Sequence, residues 1–177
     1  MRRGAALGAL AVGAAVLLVG GGAGARQLAR AASAAVCAPS QTRVWLGDGE
    51  GGGAAGHVYY PLEFSNVSHR PCALFGFPGV SAISSSGRQI GASGSRSGPS
   101  GGIVTLAVGA TAHALLAIAD WGAICSHGID ASGIRVYPPA QRSWQIVEFP
   151  LEVCASRGVL SVGPIRAGVG IPGYTNS

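Results

Sequence analysis

Residues 57–80 read HVYYPLEFSNVSHRPCALFGFPGV, and the alternation of their apolar side chains decides the fold. Val58, Tyr60, Leu62 and Phe64 fall on one face of an extended chain, while Tyr59, Pro61, Glu63 and Ser65 fall on the other. A repeat of two is the period of a pleated strand with one face against a core and one against water. Pro61 has no amide hydrogen to donate, so the strand is expected at a sheet edge or with that side free. Residues 66–71 carry turn chemistry, and residues 72–77 then read as the returning arm of a hairpin, stopped by Pro78-Gly79. The same stretch also holds serines, a cysteine and two histidines, but a hairpin whose polar residues face water accounts for them without a nucleophile and its base.

Further strand signals recur at intervals of about ten residues, the spacing of sandwiches and barrels. They cover residues 42–46, 80–83, 89–90, 103–108, 112–119, 133–137 and 143–149, with a last pair of segments around 159–165. The polar run GASGSRSGPSGG at 91–102 separates two groups of them, and Gly109-Ala110 is expected to turn 103–108 back into 112–119. Beyond the first 34 residues no segment keeps an apolar stripe of period 3.6, and no strand and helix alternate. The fold class is all-β: an antiparallel β-sandwich of immunoglobulin-like kind, with a closed barrel as the alternative.

The N-terminus reads as a targeting segment. MRR precedes a run without charge, AALGALAVGAAVLLVGGGAGA at 5–25, and Ala32-Ser33-Ala34 offers a small-x-small cleavage site. Residues 1–34 are therefore expected to be a signal peptide and 35–177 a single exported domain. The competing reading is an uncleaved anchor, since about 20 apolar residues span a bilayer. Val36 before Cys37 is too large for a lipid-modified cysteine. All 12 basic residues are arginines, and four of them precede the expected cut while all seven acids follow it, so 8 minus 7 leaves the mature chain at +1. Single, scattered arginines do not make a nucleic-acid surface. The membrane is expected as a partner only through residues 5–25, if they are retained.

Cys37, Cys72, Cys125 and Cys154 form an even set in an exported domain, which favours two disulfides. Three pairings are open. The sequential one, Cys37 with Cys72 and Cys125 with Cys154, is preferred, and each of its loops would contribute roughly 3 to 4 kcal/mol on the chain-entropy model.

No catalytic or metal constellation emerges. His57, His69, His113 and His127 lack the close helical spacing of a zinc pair. Cys125, His127 and Asp130 resemble fragments of a thiol triad, but an unpaired thiol would not persist after export. Asp48 and Glu50 supply too few ligands for a calcium loop. The glycine-rich loops have no lysine to follow them, which excludes a phosphate cradle. Asn66-Val67-Ser68 matches a glycosylation sequon but reads as a turn. Trp45 and Trp144 are expected to pack, whereas Trp121 lies in an expected loop and is the candidate binding residue.

The runs GAAGHVYYPLEFSNVSHRPCALFGFPGVSAI, IVTLAVGATAHALLAIADW, GIRVYPP and FPLEVCASRGVLSVGPI, taken in that order, resemble the secreted actinobacterial family catalogued as domain of unknown function 4232. The resemblance extends from Cys37 to about Ile165, and the four cysteines sit where that family carries its own. It implies export, disulfides and a compact β domain, and brings no catalytic residue or cofactor. The expected function is a non-enzymatic binding or structural module of the cell envelope or extracellular space, with an unknown protein or envelope ligand as partner. The opposing expectation is a small extracellular hydrolase with a histidine-containing site, which would need three polar groups converging in one pocket.

Overall fold

The computed structural model describes residues 34–47, 53–54 and 56–170. In chain order they form β1 (Thr42–Leu46), β2 (Gly53–Ala54), β3 (His57–Asn66), β4 (Cys72–Leu74), β5 (Gly79–Ile83), β6 (Gln89–Ile90) and β7 (Ser95–Arg96). These are followed by β8 (Val104–Leu106), β9 (Thr111–Ala119), β10 (Ile129–Tyr137), β11 (Gln145–Val153), β12 (Leu160–Val162) and β13 (Arg166–Ala167). Among the described residues the only helical turns are the 3-10 segments Pro39–Gln41 and Trp121–Ala123, and no helix is long and apolar enough to cross a membrane. The chain divides into two units, Met1–Ala32 and Ser33–Ser177. The expected signal peptide lies outside the described residues except for Ala34, and Asp48 and Glu50 lie outside them too.

The protein is all-β, built from several sheets. The largest runs β1-β3-β9-β12-β7, with β2 beside β3 and β13 beside β9; a second runs β11-β10-β5-β6, and β4 and β8 form a two-stranded third. Their inner faces share one interior. Leu62 and Phe64 of β3, Ala114 and Leu116 of β9, and Val44 of β1 meet Val80 and Ala82 of β5 and Ile134 and Val136 of β10 in a single buried cluster.

The deciding stretch folds differently from its expected form in three respects. First, the sheet edge fails and the free side holds, because β3 is internal: it pairs with β1 from Thr42↔Asn66 to Leu46↔Leu62, which stops short of Pro61, and with β9 from His57↔Ala119 to Ser65↔Thr111. Pro61 is tolerated there because β1 stops beside it, and the Pro61 carbonyl accepts from Gly47 just beyond the end of β1. A side chain at Gly47 would lie 2.7 Å from the Pro61 ring. Second, both faces of β3 are covered, and Pro61 and Glu63 are buried. Glu63 sits opposite His113, and residues 168–170 close over both: the Gly170 amide donates to Glu63 Oε1 at 2.6 Å, and His113 Nδ1 lies 2.9 Å from the Gly168 carbonyl. A carbonyl only accepts, so His113 Nδ1 carries the proton.

Third, no hairpin joins β3 to β4. Asn66 is buried, and its Nδ2 donates to the carbonyls of Arg70, Leu106 and Ala107 while its Oδ1 accepts from the amide and hydroxyl of Ser68. This clamp steers the chain away from β3, and β4 pairs with β8. A turn at residues 108–109 does lead from β8 into β9, with the Ala110 amide donating to the Ala107 carbonyl, but the two strands lie in different sheets. The polar run at 91–102 is not a plain separator either, because β7 within it pairs in parallel with β12.

Two disulfides fasten the interior, Cys37–Cys72 and Cys125–Cys154, and among the described residues no cysteine is free. Disulfides belong to an oxidising compartment.

Candidate functional site

Pro150 falls within β11, the edge strand of the second sheet, and prolines inside strands are confined to edges and bulges. The strand accommodates it with a bulge: Ala131↔Leu151 is followed by Gly133↔Glu148, so Phe149 and Pro150 together oppose the single residue Ser132. Gly133 is the residue that permits the close approach, since a side chain there would lie 2.5 Å from the Val147 carbonyl. Bulges redirect side chains beside functional sites. Here Phe149, Pro150, Leu151 and Glu152 all come to the wall of one cleft of about 590 Å3.

The opposite wall is made by the start of β3 and the end of β9. His57, Val58 and Tyr60 line it together with Ile118 and Ala119. Tyr60 and Phe149 meet edge to face at 4.9 Å across the gap between the two sheets. Such a pair contributes about 0.5 to 1.5 kcal/mol beyond its buried area.

Trp121 closes the end. It opens the 3-10 turn Trp121–Ala123, whose preceding residue Asp120 accepts from the Gly122 amide through Oδ1 at 3.0 Å. An aspartate is a favoured cap there because it satisfies an amide with no partner inside the turn. The indole N–H donates to Glu152 Oε2 at 2.9 Å. Gly128 packs against the same ring: a side chain on it would lie 3.0 Å from the indole Cδ2 and Cε2 atoms and from Glu152 Oε1. The Cys125–Cys154 bridge then ties the loop that carries Trp121 to the end of the strand that carries Glu152. Trp121 and Glu152 are thus held by a hydrogen bond, a packed backbone and a covalent link.

The other sequence candidates do not join this site. His113 is buried beneath residues 168–170, and His69 and His127 are exposed in turns. Cys125 is bridged to Cys154, and His127 Nδ1 turns to the Ser126 carbonyl, so the apparent thiol triad has no thiol. Trp45 donates to Ser65 Oγ at 2.9 Å. Trp144 is half exposed with the Arg135 guanidinium stacked 5.0 Å from its ring. Asn66 is spent on its loop clamp. Among the described residues no three His, Cys, Asp or Glu side chains gather closely enough to ligate an ion. A second cleft, of about 640 Å3, lies beside Pro150 between Ile83, Ser132, Ile146 and Glu148, and no aromatic side chain is among its described lining residues.

The fold displaces the titration of Glu63. Burial pushes its carboxyl above the ordinary range, and the Gly170 amide and the nearby His113 offset part of that rise. It lies in the interior of the large sheet, away from the cleft.

Sequence reading singled out Trp121 and, in general terms, His57. It missed Tyr60, Phe149, Asp120 and Glu152 as neighbours. The signals for them were Pro150 inside a strand pattern, which marks a bulge, and Asp120 followed by Trp121-Gly122, which marks a capped turn.

Fold and site together define a disulfide-bonded all-β domain with an aromatic, acid-edged cleft at one end of its sheets. The chain belongs to the family described as domain of unknown function (DUF4232), whose model matches residues 37–166 and so takes in all four cysteines and the cleft. No curated protein and no solved structure matches the chain.

Proposed function

We propose that this chain is an exported, non-enzymatic binding module, folded as an immunoglobulin-like β-sandwich, whose ligand seat is the cleft beside Trp121. The carrying observation is that Tyr60, Trp121 and Phe149, from three separate elements, converge on one cleft. A concave, mainly apolar site with a few fixed polar groups is the usual form of a ligand pocket. The orders β1-β3-β9 and β11-β10-β5-β6 support the immunoglobulin-like assignment, because they follow the A-B-E and G-F-C-C′ orders of that fold. Two disulfides and the basic-then-apolar N-terminus support export, with residues 1–34 as signal peptide and 35–177 as the mature domain at the cell surface or outside it.

The test is a comparative pull-down from the producing cell's envelope with the wild-type domain and its Trp121→Ala variant. A species retained by the first and lost by the second supports the seat; equal retention refutes it. Mass spectrometry of the native N-terminus checks export independently: a start at Ala35 is expected, and an intact residue 1 would favour an anchor instead.

A small hydrolase is the second reading, because His57, Asp120 and Glu152 line the same cleft. Against it, Asp120 and Glu152 each commit an oxygen to holding the turn and the indole, and no serine, threonine or cysteine is among the described lining residues. Turnover of chromogenic ester, glycoside or peptide substrates that is lost in His57→Ala would establish the hydrolase.

A further inference from the structure

The cleft has a one-sided charge. Its acidic side chains are Asp120 and Glu152, the His57 imidazole is the one basic group among its described lining residues, and the chain contains no lysine. Each carboxylate is oriented by a single hydrogen bond, Asp120 through Oδ1 to the Gly122 amide and Glu152 through Oε2 to the Trp121 indole. The second oxygen of each makes no hydrogen bond to a described residue. Around them stand Tyr60, Trp121 and Phe149, whose ring faces carry the negative end of an aromatic quadrupole. Aromatic faces and carboxylates attract the same partner, a positive charge on an apolar body, and the attraction strengthens where water is displaced. A neutral or anionic ligand would draw no such attraction from either carboxylate.

We propose that the cleft selects a small organic cation, an alkylammonium group whose apolar substituents contact the three rings while its charge faces Asp120 and Glu152. The volume of about 590 Å3 lies within the range of small-molecule pockets. This inference rests on the reading of the cleft as the ligand seat, and deepens it by naming the chemistry of the ligand.

The experiment is calorimetric titration of the disulfide-intact domain with choline and with its neutral carbon isostere, 3,3-dimethylbutan-1-ol. Choline is expected to bind about tenfold or more tightly than the isostere, and more weakly as salt is raised. Trp121→Ala is expected to weaken choline about tenfold. The double variant Asp120→Asn, Glu152→Gln keeps an acceptor for the Gly122 amide and for the indole but removes both charges, so it is expected to erase the preference for choline while the fold, followed by circular dichroism, is retained. Equal binding of the two probes, or no choline binding at millimolar concentration, overturns the cation assignment. If the neutral probe binds and Trp121→Ala abolishes that binding, the cleft remains the seat and only the charge preference falls. If choline binds equally to wild type and Trp121→Ala, both fall.

Discussion

Removing the Cys125–Cys154 bridge is the perturbation whose cost the structure sets most clearly. The bridge spans 29 residues of sequence. On the chain-entropy model a loop of that length restricts the unfolded chain by about 3.6 kcal/mol at 25 °C. A domain of this size unfolds with an entropy of about 0.3 kcal/mol/K near 60 °C, so the same loss lowers Tm by roughly 12 °C. Against a total stability of about 5 to 15 kcal/mol, the Cys125→Ala/Cys154→Ala variant is expected to remain folded at room temperature with a much smaller margin. Because Cys154 is fully buried, truncation also removes packing, of order 1 kcal/mol. Urea unfolding followed by near-ultraviolet circular dichroism measures both contributions. If the bridge acts on the unfolded state, the released chain exposes more surface and the m-value of the variant rises as its midpoint falls. A loss under about 1 kcal/mol at unchanged m would refute the chain-entropy account. Quantitative alkylation of Cys125 in the native, non-reduced wild type would refute the bridge itself. The loop that carries Trp121 is the one released, so the cleft is expected to loosen before the domain unfolds.

Three further outcomes follow from the described contacts. Glu63→Gln tests the buried carboxyl: a folded-state pKa above the unfolded one makes the folded protein bind more protons, so wild-type stability falls as pH rises from about 4.5 through the raised value. The variant is expected to lack that decline, gaining on wild type at neutral pH and losing the advantage near and below pH 4.5, as read from urea midpoints across pH. Asn66→Ala unties the carbonyls of Leu106 and Ala107 and the Ser68 turn, and is expected to cost about 2 to 4 kcal/mol in chemical denaturation. Gly133→Ala drives a side chain into the Val147 carbonyl, and is expected to cost about 1 to 3 kcal/mol and to shift the Phe149 ring resonances, because the bulge can no longer close.

Local extension was legible because alternation and turn residues are local signals. Residues 42–46 and 89–90 stand out between turns and fold as β1 and β6 with those bounds. Pairing was not legible, because a period of two assigns a side chain to a face without naming the neighbouring strand. The hairpin expected after β3 fails on Asn66, whose side chain reaches carbonyls about 40 residues away and diverts the chain. Alternation with Leu62 and Phe64 assigns Glu63 to the water-facing side. It is buried because a segment 107 residues later closes over it, a contact with no local trace. The site divides in the same way. Trp121 could be picked out as an aromatic in a loop, whereas Phe149 reaches the cleft only because the bulge breaks the alternation of β11. Asp120 is set by a local turn, whereas Glu152 meets Trp121 through an indole hydrogen bond across 31 residues, a product of tertiary folding.

Three tryptophans give three indole N–H signals in a nitrogen–proton correlation spectrum, and they report on three places: Trp45 bonded to Ser65, Trp144 under Arg135, and Trp121 at the cleft. Titrating the labelled domain with the species it retains from the envelope should move the Trp121 indole and leave the other two in place. Movement of Trp144 with a stationary Trp121 would put binding away from the cleft and contradict the account.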